Sequence, residues 1–176
     1  MRLFLAINFD AQTKEHILAV QGRLREAGRG SFSHPENLHL TLAFLGEVEP
    51  RREAAAREAL DSTAVPPMKL IFDHAGRFRR EGGDIWWLGL GTNKALITLQ
   101  KELSAHLQGK GFILENRRFS PHITLARQVL LHKALDESQL LGIPFGTEAD
   151  TVSLMLSERV NGKLTYTQRH AVRGKR

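Results

Sequence analysis

"HLTLAF" (residues 39–44) and "HITLAR" (residues 122–127) are two copies of one phrase, His-x-Thr-Leu-Ala, in a chain of 176 residues with eight histidines. Chance is a poor explanation for four fixed letters recurring together. A duplicated fold, a duplicated chemistry, or both remain. Around the first copy, Leu38, Leu40 and Leu42 alternate with His39, Thr41 and Ala43. That pattern predicts a strand with one apolar face, closed by Gly46. Side chains at i and i+2 of a strand share a face. His39 and Thr41 therefore point one way and the leucines the other. The same holds for His122 and Thr124 against Ile123 and Leu125. One such strand in each half predicts two similar lobes whose cleft is lined by two imidazoles and two hydroxyls.

The rest of the chain fits an α+β architecture. "RLFLAINF" (residues 2–9) predicts a strand, and Asp10 caps a following helix of about 15 residues carrying Ile17, Val20 and Leu24, which stops at "AGRG". An Ala- and Glu-rich helix is expected over 50–60. Two strands, 68–78 and 84–90, are joined by the Gly-Gly turn of "RREGGD". Thr92 is the expected cap of a helix with the stripe Leu96, Leu99, Leu103 and Leu107, ending near Gly109 and Gly111. The second motif strand is entered through Pro121. No element is assigned from there to Leu141. A hairpin around "NG" (residues 161–162) closes the chain, and the basic "RGKR" tail (residues 173–176) is expected to be disordered. Mixed order with hairpins predicts mainly antiparallel sheets, with helices outside. Residues 1–176 read as a single bilobal domain with one motif per lobe, at 39–42 and 122–125.

Composition limits the chemistry. The absence of cysteine removes disulfides, thiolate catalysis and cysteine-based zinc sites. It suits a reducing compartment. The first residues lack a signal peptide's long apolar run, and no window approaches a membrane span. The expectation is a cytoplasmic monomer with no membrane partner. The net charge of +6 and the pI of about 10.1 favour an anionic partner such as nucleic acid.

Two imidazoles and two hydroxyls suit in-line displacement at phosphorus. One imidazole takes a proton from attacking water while the other gives one to the leaving oxygen. Histidine suits both tasks near neutral pH. Hydroxyls can donate to the non-bridging oxygens as charge builds. This requires neither metal nor cofactor, and a strained cyclic phosphate is a natural substrate. A metal site is the rival, with Asp73 and His74 as possible recruits, although nothing in the sequence places them at the cleft. His34, His106 and His132 read as ordinary loop or helix residues. Arg117, Arg118 and Arg127 suit phosphate. Arg127 follows His122 by five residues, so it reaches the site only if the strand bends near Ala126. Phe44 holds the equivalent place in the first copy, where it either stacks on a base or packs in the core. Of the adjacent Trp86 and Trp87, at most one faces the cleft.

At these residues the chain resembles the 2H phosphoesterase superfamily, named for paired His-x-Thr-x motifs, and within it the RNA 2′,3′-cyclic phosphodiesterase (2′-5′ RNA ligase-like) branch. "RLFLAINF", "NLHLTLAFLGEV", "WWLGL" and "RFSPHITLAR" fall in the family's order. The resemblance implies a bilobal fold with pseudo-two-fold symmetry. It also implies metal-independent hydrolysis of terminal RNA 2′,3′-cyclic phosphates to 2′-phosphates, with His39 as proton donor and His122 as proton acceptor. Thr41 and Thr124 would hold the phosphate. Some members join RNA ends through a 2′-5′ linkage without ATP, the reverse reaction at one site. A small cyclic nucleotide or ADP-ribose cyclic phosphate is an alternative substrate, and a non-catalytic RNA-end-binding module an alternative function.

Overall fold

Leu3, Leu5 and Ile7 alternate along strand β1 (Arg2–Asn8) and are fully buried. Phe4 and Ala6, on its other face, form a separate small cluster with Met155 and Tyr166. β1 is thus apolar on both faces and lies inside its sheet. The structure, a computed structural model, describes residues 1–174. It contains two antiparallel sheets. The four-stranded sheet has the order β3 (His39–Glu47), β1, β8 (Thr151–Val160), β9 (Lys163–Arg173). The five-stranded sheet has the order β2 (Gly28–Phe32), β6 (His122–Leu131), β5 (Asp84–Leu90), β4 (Met68–Phe78), β7 (Phe145–Ala149).

Without β2, the two orders are versions of one plan. Each motif strand pairs with the strand that precedes its half's long helix: β3 with β1, and β6 with β5. Helix α1 (Ala11–Ala27) follows β1, and α3 (Lys94–Gly109) follows β5. Between them lies α2 (Glu53–Asp61), preceded by a single turn at Pro50–Arg52. Asp10 caps α1 by accepting from the Thr13 amide. Asn93, not Thr92, caps α3, accepting from the Leu96 amide; its longer side chain stands one residue closer to the helix. The stripe Leu96, Leu99, Leu103 and Leu107 is buried as its spacing predicts.

Three elements were not legible in the sequence. β2 has the composition of a turn, "GRGSF", yet it pairs along β6. Its glycines permit this, because a Cβ at Gly28 or Gly30 would press on the Leu130 or Arg127 carbonyl at 2.7 or 2.8 Å. The unassigned region up to Leu141 holds the end of β6 and the five-residue helix α4 (Glu137–Leu141), and β7 follows it. The closing hairpin turns at Asn161 (φ 52°) and Gly162 (φ 77°), as an Asn-Gly pair favours. The basic tail departs from the expected disorder at its start. Arg173 pairs with Thr151, and the Gly174 amide donates to the Asp150 carbonyl at 2.7 Å. Lys175 and Arg176 lie outside the described residues. Among the described residues, no helix is long and apolar enough to cross a membrane.

Candidate active site

Both motifs fall on strands, but neither strand alternates to its end. On β3, Ala6 of β1 faces Thr41 while Leu5 faces Ala43, so Leu42 is an extra residue. On β6, Trp87 faces Thr124 while Trp86 faces Ala126, so Leu125 is the extra residue. Each copy therefore carries a bulge at its fourth letter. The consequence is the same twice. Leu42 and Ala43 are both buried, as are Leu125 and Ala126, and the next residue returns to the face of the histidine. Strict alternation misplaces Ala43, which the bulge sends to the core. It also puts Arg127 on the wrong face, which the bulge corrects: β6 bends at Leu125 and then continues to Leu131.

The histidines are held alike. Nδ1 of His39 donates to the Asn37 carbonyl, and Nδ1 of His122 donates to the Ser120 carbonyl, each at 2.7 Å and each two residues back. This fixes one tautomer in both rings and presents Nε2 to the site. The Thr41 hydroxyl lies 2.9 Å from His39 Nε2. The surroundings then diverge. His39 packs against Phe4 and Tyr166, with ring centroids 4.9 and 5.2 Å away. Burial pushes its pKa below the ordinary imidazole value, and the positive charges of His122 and Arg127 push the same way, against the Asn37 hydrogen bond. His122 is flanked by Phe78, edge-on at 5.5 Å, and by Trp87, tilted at 6.0 Å.

The structure thus brings His39, His122 and Arg127 into electrostatic contact across the two sheets. Arg127 also acts on Tyr166, whose pKa burial raises. Phe44 lies 5.7 Å from Phe4 on the His39 side, with half its surface exposed. Arg117 is instead paired with Glu115 at 2.8 Å in the segment leading to β6. Trp86 is buried in the core, and Trp87 faces the site. Phe4 was detectable from the two-sided pattern of β1, whereas no local signal marks Tyr166 or Phe78. Among the described residues, no group of three or more His, Cys, Asp or Glu side chains could hold a metal ion. An open groove of about 520 Å³ beside α1 and β7 is lined by His16, Phe145 and Thr147, among others, and includes no motif residue.

Residues 9–161 match the family described as the 2′-5′ RNA ligase superfamily. A relative from Escherichia coli (strain K12), named RNA 2′,3′-cyclic phosphodiesterase, is 32% identical over 172 residues, covering 94% of this chain and 92% of that protein. One of the same name from Thermotoga maritima is 33% identical over 131 residues, covering 72% and 70%. A crystal structure described as a phosphoesterase matches with a TM-score of 0.85 at 31% identity, covering 99% of this chain and 98% of the other. That of E. coli LigT complexed with 3′-AMP matches with a TM-score of 0.84, also at 31% identity and with the same coverage. The chain belongs to the 2′-5′ RNA ligase superfamily.

Proposed function

We propose that this member of the superfamily hydrolyses terminal 2′,3′-cyclic phosphates on RNA to 2′-phosphates. The observation that carries the reading is the matched pair of imidazoles. Each is clamped through Nδ1 by a carbonyl two residues back, on strands that share one site. Binding alone does not need two proton-transfer groups held in one tautomer. The relatives' name, RNA 2′,3′-cyclic phosphodiesterase, supports the reading, as does the net charge of +6.

In this mechanism water attacks phosphorus and gives its proton to His122. The P–O3′ bond breaks as His39 protonates the leaving oxygen, which leaves the phosphate on O2′. Thr41, Thr124 and Arg127 hold the non-bridging oxygens, and Phe44 offers a face to the base. The low pKa of His39 in the free protein is compatible with a donor role. A bound phosphate anion favours the charged ring, so the donor is loaded by its own substrate. With a 5′-hydroxyl end in place of water, the same step joins that end to the cyclic phosphate through a 2′-5′ linkage, as His122 takes the hydroxyl proton and the P–O3′ bond breaks.

The test is a product assay. A short RNA ending in a 2′,3′-cyclic phosphate is incubated with the protein in EDTA, and 2′- and 3′-phosphate products are resolved. A 2′-phosphate product is expected. An unchanged substrate, or a 3′-phosphate product, refutes the reading.

A further inference from the structure

The row of residues next to His122 contains a third imidazole. Gly89 on β5 faces His122, and His74 on β4 faces Gly89. Residues directly opposite on neighbouring strands share a face, so His74 belongs to the face of the site. Gly89 has no side chain, and a Cβ there would strike the His74 ring, Nε2 first. The ring therefore leans across β5 towards the strand that carries His122, with Nε2 at its tip. Asp73 holds the other end: its Oδ1 lies 2.7 Å from His74 Nδ1. An irregularity in the β4–β5 register between Phe72 and His74 puts Asp73 beside it, and Oδ2 covers Gly91. Trp87 joins the two histidines, at 5.7 Å from His74 and 6.0 Å from His122. The pair remains open to solvent, with side chains 51% and 43% exposed.

The pseudo-symmetry gives this strip its meaning. His39 faces Asn8 where His122 faces Gly89, and Thr41 faces Ala6 where Thr124 faces Trp87. The letters suited to phosphate are duplicated, but the His74–Trp87 strip is not. A cyclic-phosphate end is itself unsymmetrical about phosphorus, with a nucleotide chain on one side only. Unduplicated groups beside a duplicated centre suit the unduplicated part of the substrate. With Nδ1–H engaged by Asp73, the neutral ring offers Nε2 as an acceptor. Along an RNA backbone the neutral donor is the 2′-hydroxyl. The reacting nucleotide has none free, because O2′ and O3′ are both bonded to phosphorus.

We propose that His74, oriented by Asp73, accepts a hydrogen bond from the 2′-hydroxyl of the nucleotide preceding the reacting one. The site would then read RNA as a chain and distinguish it from DNA one residue upstream. This inference rests on the proposed phosphodiesterase activity.

The test uses two dinucleotides, each ending in a ribonucleotide 2′,3′-cyclic phosphate. The first nucleotide is ribose in one and 2′-deoxyribose in the other. For the wild-type protein, kcat/KM is expected to be about tenfold higher for the ribose form, the scale of one hydrogen bond. In His74→Ala the ratio falls to within about twofold of unity, and Asp73→Ala lowers it in the same direction. A wild-type ratio near one, or a ratio that survives His74→Ala, overturns the inference while leaving the activity standing. Hydrolysis of neither dinucleotide by the wild type overturns the phosphodiesterase reading and this inference with it.

Discussion

Gln21 and Gln100 stand in equivalent places, each gripping the bulge of the opposite half's motif. Nε2 of Gln21, on the helix after β1, donates to the carbonyl of Leu125 at 2.9 Å. Nε2 of Gln100, on the helix after β5, donates to the carbonyl of Leu42 at 3.3 Å. A bulged residue is out of step with the ladder, so its carbonyl is open to further donors, and that of Leu125 also accepts from the Ser33 amide at 3.0 Å. Each half's helix supplies one to the other half. The bulges that turn Phe44 and Arg127 to the face of the two histidines are thereby tied to the packing between the halves.

Gln21→Leu is expected to destabilise the protein by about 2 kcal/mol, because it removes two hydrogen bonds of about 1 kcal/mol each and leaves the Leu125 carbonyl only the Ser33 amide at 3.0 Å. Gln21 is 2% exposed and also donates to the Ser33 carbonyl at 2.8 Å. Gln100→Leu should cost less, since Gln100 is only part-buried and a carbonyl there can recruit water. Urea unfolding of both variants measures the difference. Equal stability of Gln21→Leu and wild type would mean that the bulge needs no such tie.

His39→Ala and His122→Ala should each lower kcat by about 10²- to 10⁴-fold on a cyclic-phosphate RNA while leaving the fold intact. The roles separate with a second substrate. A phosphodiester with a p-nitrophenolate leaving group needs no proton to depart. On it, His39→Ala should recover much of the loss and His122→Ala should not. Recovery in the His122 variant would reverse the donor and acceptor assignments.

His39 should titrate below an ordinary histidine in the free protein, because burial and the charges of His122 and Arg127 disfavour its cation. The NMR signal of its Cε1 proton reports this directly. Arg127→Ala removes one depressing charge, so the His39 pKa should rise, and inorganic phosphate should raise it further in the wild type. The linked stability has a definite sign. Between the depressed folded value and the ordinary value near 6.5, the unfolded chain binds a proton that the folded chain refuses. Stability is therefore lost as pH falls through that window. A His39 pKa above that of the other histidines contradicts the burial argument.

The residues readable from sequence were those whose neighbours along the chain decide their place. His39, Thr41, His122 and Thr124 follow from alternation, and the hairpin at Asn161–Gly162 follows from turn chemistry. Arg127 was conditional, because a bulge is set by pairing with another strand and leaves no mark on its own strand. Tyr166 and His74 were out of reach for a similar reason. Tyr166 meets His39 only because β9 and β8 extend the sheet beyond β1. His74 meets the site only because Gly89 leaves a gap between β4 and β6. β2 was hidden by its glycines, which read as a turn until β6 lies against them.

Gly76 offers a test of how the wall beside His122 is packed. It faces Trp87 across β4 and β5, and a Cβ there would run into the six-membered part of the indole. Its φ is not in the left-handed region, so alanine suits the backbone and on local grounds would stabilise slightly. Packing reverses the sign. Gly76→Ala must lift the indole off β4, and Trp87 is in contact with His122. The expected cost is about 1–3 kcal/mol, the usual range for overpacking, with a fall in kcat/KM as His122 loses its flank. Trp87→Phe removes the clashing atoms. Adding Gly76→Ala to Trp87→Phe should then be close to neutral, so a double-mutant cycle should give a coupling of about 1 kcal/mol or more. Additive losses would mean that glycine is required at this position for a reason other than the indole.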